Sequence, residues 1–225
     1  GAELWNYESV HPSRAGAVAD LDGDGKDEVI CGTHYYWASV LNSDGTARWK
    51  YRFGPICYDI ATGHFEDTTT RGVVFGGGDG KVHCVDADGT LRMAYNTGDE
   101  VKCVEAADLD GDGLDEILAG SLNHNIYCFG ADAVRRWRLD LGSPVSALGT
   151  VSQAQNRFVV AGTDNGRLAT VDRSGRLQVM TELESAVTHI LVRGEKMVIA
   201  TAEGQLRNCS IIPKATHNVE GTREE

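Results

Sequence analysis

Short apolar runs recur along the chain at a nearly constant interval, and four of them end in a glycine. The runs read VICG, VVFG, ILAG and VVAG, and they end at Gly32, Gly76, Gly120 and Gly162. The intervals are 44, 44 and 42 residues, and a fifth run, VIAT, ends 39 residues later at Thr201. Self-similarity at a period of about 20 to 50 residues is typical of repeat architectures. We therefore expect five repeated units.

A second sequence feature recurs at the same intervals as the glycines that end the apolar runs. A large apolar residue follows a charged turn at Trp49, Met93, Trp137 and Val179. Between these two features, each unit shows an apolar run, a loop, a β-branched run, a Gly or Asn turn, an alternating segment and an Asp-Gly turn. Four short strands in a unit of this length predict a blade of a β-propeller.

The fold class expected is therefore all-β, and no segment of useful length shows helical periodicity. In the third unit we expect strands at Val101–Ala107, Glu116–Gly120, Asn125–Gly130 and Val134–Asp140. The predicted blades cover about residues 15–53, 57–97, 101–141, 145–183 and 187–212. The polar tail, 213–225, has no blade pattern, and we expect it to be loosely held.

The two ends of the chain predict how the ring closes. The fifth unit supplies three strands, at about Val187–Val192, Lys196–Thr201 and Gln205–Ile211, and then reaches a proline. The segment Ala2–Glu8 resembles a fourth strand, since Trp5 lies 44 residues before Trp49. We expect this segment to complete the fifth blade and close a five-bladed ring without free strand edges. The alternative is an arc of a seven- or eight-bladed propeller.

Two acidic loops in the first and third units agree at every polar position. They read DLDGDGKDE from Asp20 to Glu28 and DLDGDGLDE from Asp108 to Glu116. Oxygen ligands at alternate positions, with glycines that permit a tight turn, suit a hard cation such as calcium. The predicted ligands are Asp20, Asp22, Asp24, the carbonyl of Lys26 and Glu28, and Asp108, Asp110, Asp112, the carbonyl of Leu114 and Glu116. The alternative is a pair of acidic surface turns, because Asp-Gly is common in turns.

The other three units lack this ligand pattern. The aligned stretch of the second unit begins at His64 and has Gly72 where a carboxylate is needed. The fourth unit offers no acid between Gly149 and Arg157, and the fifth shortens the loop to Arg193-Gly194-Glu195. We therefore expect two calcium sites, one in each intact loop.

One turn differs from its counterparts in a way that predicts a binding surface. Where other units read GGDGK, SLNHN and TDNGR, the first reads THYYW, with His34, Tyr35, Tyr36 and Trp37. In a regular blade this turn lies on the face opposite the acidic loops. Tyr and Trp combine a large apolar area with a polar atom, so they would stack on a sugar or anchor a partner's side chain. The alternative is that they fill a gap between blades.

Composition narrows the function classes. The formal net charge of −12 disfavours nucleic acid as a partner, and no apolar stretch is long enough to cross a bilayer. No nucleophile or phosphate-loop motif occurs. His11, Tyr58 and His64 would have to converge to form a zinc or acid–base site. Three of the six cysteines, Cys84, Cys128 and Cys209, come directly after the same strand position of their units. This recurrence indicates that their side chains pack against neighbouring elements and do not pair in disulfides.

The acidic loops resemble the calcium loops of FG-GAP repeats, which build integrin α-subunit propellers and occur in many bacterial secreted proteins. The phrases SDGTARW and GADAVRRW are similar to quinoprotein-like (PQQ-type) repeats, a group that includes outer-membrane assembly scaffolds. The resemblance covers about residues 1 to 211. It implies a calcium-binding propeller, while its implication for function is weak, because such blades serve many purposes.

Two functions follow as expectations. The first is a noncatalytic, calcium-stabilised binding or scaffold module that acts as a monomer and takes a glycan or protein ligand on one face. The second is the propeller portion of a polysaccharide lyase or hydrolase. The chain starts at Gly1 without a signal peptide, as a processed product would. Calcium loops favour an extracellular or periplasmic location, whereas unpaired thiols favour a reducing one.

Overall fold

The computed structural model describes residues 2–153, 156–194 and 196–210, and in these residues it contains strands and turns but no helix. Nineteen strands form five antiparallel sheets in this part of the chain. The predicted all-β propeller is confirmed. Accordingly, none of the described residues belongs to a helix that is long and apolar enough to span a membrane.

The first three sheets have four strands each, and sequence neighbours pair throughout. Sheet one contains β1 (Ser13–Ala19), β2 (Glu28–Thr33), β3 (Trp37–Leu41) and β4 (Ala47–Arg52). Sheet two contains β5 (Cys57–Gly63), β6 (Gly72–Gly77), β7 (Lys81–Val85) and β8 (Leu91–Asn96). Sheet three contains β9 (Val101–Ala107), β10 (Glu116–Ser121), β11 (Asn125–Phe129) and β12 (Arg135–Asp140).

The fourth sheet also has four strands, whereas the fifth has three. Sheet four contains β13 (Val145–Gln153), β14 (Asn156–Thr163), β15 (Arg167–Asp172) and β16 (Leu177–Glu182). Sheet five contains β17 (Val187–Arg193), β18 (Lys196–Thr201) and β19 (Leu206–Ser210). The strand ends lie close to those predicted. The predicted end at Ile211 and the tail 213–225 fall outside the described residues.

The five innermost strands, β1, β5, β9, β13 and β17, surround one central cavity of about 470 Å³. Apolar side chains fill the space between consecutive sheets. Ile30 and Val40 of sheet one, for example, pack in one buried cluster with Val73 and Phe75 of sheet two. Burial of apolar area between flat sheet faces is the main force that stacks the blades.

The recurring glycines mark where one blade approaches the next. A Cβ atom built on Gly32 would lie 2.3 Å from the Cys57 sulfur, and one on Gly162 would lie 2.3 Å from Val187 Cγ1. No side chain fits at such distances, so the repeat requires glycine there. The fifth unit differs by one residue from the predicted alignment. Ala200, and not Thr201, is the counterpart of Gly162. Gly162 pairs with Ala147 and Ala200 pairs with His189, each beside the bulge in its sheet.

The N-terminal segment corrects one prediction. Residues 2–8 form no strand, and the fifth sheet does not include them. The predicted closure of the ring by pairing of Ala2–Glu8 is therefore not formed. Instead, Trp5 donates its indole N–H to the carbonyl of Ser43 at 3.0 Å, in sheet one. Trp49 and Trp137 make the same bond to the turn of the following blade, at 2.9 Å each.

Trp5 thus keeps the phase of the repeat, but the sheet faces at the two ends of the blade series stay partly uncovered. Val18 on β1 is 63% exposed, and Leu191 and Leu206 in sheet five are 69% and 74% exposed. In a ring closed by a complete fifth blade, these side chains would face a neighbouring sheet. The described residues therefore show an open seam between sheets five and one, and an arc of a larger propeller stays an alternative.

The six cysteines, all within the described residues, form no disulfide. Four of them are buried: Cys57, Cys84, Cys103 and Cys128. Burial raises the pKa of the Cys84 thiol to about 12, so this group stays protonated and behaves as a small apolar side chain. The expectation that the cysteines pack rather than pair agrees with this arrangement.

Candidate calcium loops and aromatic turn

The two acidic loops connect the first and second strands of their blades, and they share one pattern of backbone hydrogen bonds. Asp20 accepts the amides of Gly23 and Gly25, at 2.8 and 2.9 Å. Glu28 accepts the amide of Leu21 at 2.9 Å. In the third blade, Asp108 accepts the amides of Gly111 and Gly113, at 2.7 and 3.2 Å. Glu116 accepts the amide of Leu109 at 2.7 Å.

The middle of each loop is also held by its own carboxylates. Asp22 accepts the amide of Asp24, which in turn accepts the amide of Lys26. The third blade repeats both bonds, at 3.2 and 2.8 Å, with Asp110, Asp112 and Leu114. Each loop is therefore folded by the aspartates that would serve as ligands, and the glycines occupy positive φ where other residues would be strained.

Three carboxylates converge in each loop. Oxygens of Asp20, Asp22 and Glu28 lie within 4.8 Å of one another, and so do oxygens of Asp108, Asp110 and Glu116. Asp24 and Asp112 do not belong to these groups. Such hard oxygen donors fit calcium better than a softer metal. The sequence thus located the converging carboxylates, while the contribution of Asp24, Asp112 and the two carbonyls stays a prediction.

The buried glutamate of the second loop shows the electrostatic cost of this convergence. Burial raises the pKa of Glu116 to about 7, and the charges of Asp110, Asp112 and Asp108 add to the effect. Crowded carboxylates resist ionisation because their charges repel one another in a poorly solvated place. A divalent cation placed among these oxygens would relieve the repulsion. The donor set therefore fits the metal that the sequence predicts.

The second blade carries a loop without the metal pattern, and this loop touches both acidic loops. Arg71 donates its amide to the carbonyl of Leu21 at 2.9 Å. His64 donates its amide to Asp115 and accepts the amide of Asp115, at 2.7 Å in each case. Hydrogen bonds from Thr69 and Thr70 lower the pKa of Asp67 to about 2. Hydroxyls and amides thus hold the turn of this loop.

The aromatic turn lies between β2 and β3, at the opposite end of β2 from the first acidic loop. Tyr36 has a φ of 61°. The equivalent positions in three other blades hold Gly80, Gly166 and Gly204, at φ of 76°, 84° and 79°, and the third blade holds His124 at 74°. A tyrosine in the left-handed region is strained, and strain of this kind concentrates at functional sites.

Three side chains of the turn reach solvent. Tyr35 is 53% exposed, Tyr36 47% and Trp37 41%, while His34 is less exposed. The guanidinium of Arg52 lies 5.8 Å from the centre of the Tyr36 ring, and the ring of His11 lies 5.0 Å from that of Tyr35. The surface is therefore aromatic with basic groups at its border, although the chain as a whole is acidic.

Beside the turn, a cavity of about 180 Å³ separates sheet one from the N-terminal segment. Tyr7, Val10 and His11 line one side, and Thr33, Ser39 and Trp37 line the other. The phenol of Tyr7 donates to the Ser39 hydroxyl at 3.1 Å. The N-terminal segment thus helps to shape the aromatic surface, a role that the sequence did not indicate.

The three residues considered for a zinc or acid–base site do not converge. His11 lies beside the aromatic turn, and His64 lies on the opposite face, where its Nδ1 donates to the carbonyl of Thr70 at 2.9 Å. Tyr58 lines the central cavity, with Lys102 Nζ 3.4 Å from its ring centre. The candidate site formed by these residues is therefore not assembled.

The central cavity holds a polar group that the sequence did not reveal. Asp59, Glu105 and His189 line it from three different blades. Asp59 accepts the amides of Ile60 and Val104, at 2.9 and 3.0 Å. Burial raises the pKa of Asp59, and burial raises that of Glu105 to about 7. No spacing rule could unite these residues, because they converge only when the blades assemble.

Glu105 gives a prediction about pH. Its folded pKa of about 7 exceeds the ordinary value of 4.5, so the folded state holds its proton more tightly than the unfolded chain. The resulting penalty grows between pH 4.5 and 7 and is complete above 7. Glu105→Gln should therefore stabilise the protein by about 1–3 kcal/mol at pH 8.5 and have little effect at pH 4.5. Urea unfolding at both pH values measures this.

The exposed Glu203 provides the matched control, and Glu203→Gln should leave stability unchanged at both pH values. An equal effect of Glu105→Gln at the two pH values would contradict the assigned pKa.

Comparisons with known proteins agree with this geometry. The FG-GAP repeat family profile matches residues 13–47, which contain the first acidic loop. A second profile, described as the λ-carrageenase β-propeller domain, matches residues 97–192. A search of curated proteins gives no significant match. The similarity to quinoprotein-like repeats stays a prediction.

Solved structures show the same fold at low sequence identity. A crystal structure of BBS1N in complex with ARL6DN, soaked with lead, matches with a TM-score of 0.73 and 14% identity, over 94% of this chain and 70% of that one. A mercury-soaked crystal of the same complex matches with a TM-score of 0.67 and 16% identity, over 86% of this chain and 63% of that one. The computationally designed Ika4 protein matches with a TM-score of 0.54 and 20% identity, over 67% of this chain and 89% of that one. This chain thus spans about two thirds of BBS1N. Together with the blade geometry, the matches show that the chain is a β-propeller in which residues 13–47 match the FG-GAP repeat profile.

Proposed function

We propose that the protein is a noncatalytic binding module, a propeller that calcium stabilises and that presents the aromatic turn to a ligand. The observation that carries the proposal is the turn itself. Tyr36 adopts a conformation that favours glycine, and three large side chains stay 41% to 53% exposed instead of packing between blades. Burial of these rings by a ligand would recover apolar area that folding leaves in water.

Two classes of ligand suit this surface, a glycan and a protein. Aromatic rings stack on the apolar faces of sugars, and the nearby Arg52 and His11 would pair with acidic groups. A protein partner is supported by the BBS1N structure, which holds a propeller of this fold in complex with another protein. We further propose that the module acts as a monomer outside the cytosol, where calcium is plentiful.

A second candidate function is the propeller portion of an enzyme that degrades a polysaccharide. The match of residues 97–192 to a λ-carrageenase propeller domain favours this candidate. In this case the aromatic turn would hold the polysaccharide while another domain carries out the chemistry. Both candidates need the same binding surface, so one experiment can test that surface first.

Trp37→Ala should weaken ligand binding by about tenfold, because stacking on one aromatic ring contributes ~1–3 kcal/mol. A glycan array that includes λ-carrageenan oligosaccharides identifies a sugar ligand, and titration of the best oligosaccharide gives the dissociation constants. Val134→Ala is the control, because Val134 is 55% exposed but lies in an outer turn of the third blade.

Both variants should melt close to the parent protein, since Trp37 and Val134 are 41% and 55% exposed and neither belongs to the buried core. Equal loss of binding in Trp37→Ala and Val134→Ala would exclude the aromatic turn as the site. A large drop in melting temperature for Trp37→Ala, with binding intact, would show that the turn fills a gap between blades.

A further inference from the structure

The two acidic loops differ in one contact. In the first loop, Arg48 Nη1 lies 2.6 Å from Asp22 Oδ2 and 3.8 Å from Glu28 Oε1. Among the described residues, no basic side chain lies within ion-pair distance of Asp108, Asp110 or Glu116. We infer that Arg48 is an internal counter-cation of the first loop, so that calcium binds there by displacing it and binds more weakly than in the second loop. This inference rests on the proposed calcium sites.

The oxygens that Arg48 contacts are those a cation would use. Asp22 Oδ1 and Glu28 Oε2 accept backbone amides. The other oxygen of each carboxylate, Asp22 Oδ2 and Glu28 Oε1, faces the guanidinium. Calcium and the guanidinium therefore compete for the same two oxygens, and one must leave before the other can bind.

The third blade has an arginine at the matching position, and it points elsewhere. Arg136 lies 88 residues after Arg48, the same interval that separates the two loops. Its Nη2 pairs with Asp132 Oδ2 at 3.1 Å and not with Asp110. The difference between the loops therefore lies in where the arginine side chain goes.

A neighbouring residue that differs between the two blades contributes to the two directions. A Cβ atom built on Gly130 would lie 2.3 Å from Arg136 Nη2, so the guanidinium occupies the space that a side chain would take. The first blade has Asn42 at this position, and its amide donates to the Thr46 hydroxyl at 2.9 Å. Asn42 thus fills the space, and Arg48 extends towards the acidic loop instead.

The direct test compares calcium affinities of single loops. In a protein with Asp108→Ala, which leaves the first loop alone, adding Arg48→Met should tighten calcium binding by roughly three- to tenfold. In a protein with Asp20→Ala, which leaves the second loop alone, adding Arg136→Met should change binding less than twofold. Isothermal titration calorimetry with calcium chloride measures both, and thermal melts establish that all four proteins fold.

A gain of an arginine contact provides the reciprocal test. Gly130→Asn in the Asp20→Ala protein should redirect Arg136 towards Asp110 and weaken calcium binding at the second loop. Gly130→Ala is a smaller change that also fills part of this space and should have a weaker effect in the same direction.

The outcomes separate this inference from the function on which it rests. Absence of calcium binding in the unmodified protein would overturn the proposed calcium sites. Calcium binding that is equal in both loops and indifferent to Arg48→Met would overturn the role of Arg48 alone. Tighter binding in Arg48→Met, without a matching change in Arg136→Met, is the result that we expect.

Discussion

Replacing Gly162 by valine should destabilise the protein by about 3 kcal/mol or more. A Cβ atom at this position would lie 2.3 Å from Cγ1 of Val187 and 2.5 Å from its Cβ, in the inner strand of the next blade. Val187 is fully buried, so neither side chain can move into solvent. Insertion into a packed interface typically costs about 1–3 kcal/mol, and a contact this short lies at the upper end. Urea unfolding monitored by tryptophan fluorescence measures the loss.

Ala200→Val supplies the matched control for this substitution. Ala200 has the same register in the fifth blade, but no inner strand of a following blade packs against it in the described residues. It is also only partly buried. We expect little change in stability, and a β-branched residue suits a strand. If Ala200→Val and Gly162→Val were equally destabilising, the glycine would be required by the strand itself and not by contact between blades.

The sequence predicted the blades well because each blade repeats a local pattern. Strand pairs are hairpins between sequence neighbours, so alternating apolar residues and turn residues determine most of the fold. The position of Trp5 was also predictable, because it keeps the phase of Trp49. The lack of strand pairing by Ala2–Glu8 was not predictable, since pairing with β19 is a contact between residues about 200 positions apart and no local pattern decides whether it forms.

The same distinction between local and distant contacts applies to the candidate sites. The acidic loops are continuous stretches, so their spacing alone placed Asp20, Asp22 and Glu28 together. Arg48 reaches the first loop from β4, and no spacing rule links it to Asp22. We attribute its direction in part to Asn42, which stands where the third blade has Gly130. The sequence pattern of a loop predicts which of its own carboxylates lie together. Contacts from other strands, such as that of Arg48 on β4 with Asp22, do not follow from this pattern.

Removing calcium should lower the thermal stability of the propeller. The first loop is tied to the second blade through Arg71 and Leu21, and the second loop is tied to it through His64 and Asp115. Ions in the two loops would therefore hold three blades together. A site saturated at a hundredfold excess over its Kd adds about 2.7 kcal/mol to the free energy of unfolding. Two such sites would make chelation a larger perturbation than most single substitutions.

Calorimetric melts in excess calcium and in excess chelator measure this difference. Asp108→Ala should remove part of the calcium-dependent shift, and the further change Asp20→Ala should abolish it. Asp67→Ala is the control, since Asp67 belongs to the second-blade loop, whose turn is held by Thr69 and Thr70. That variant should keep the full shift between calcium and chelator, even if its turn is weakened. A parent protein that melts at the same temperature in both buffers would show that the folded loops need no ion, because their aspartates already bind the backbone amides.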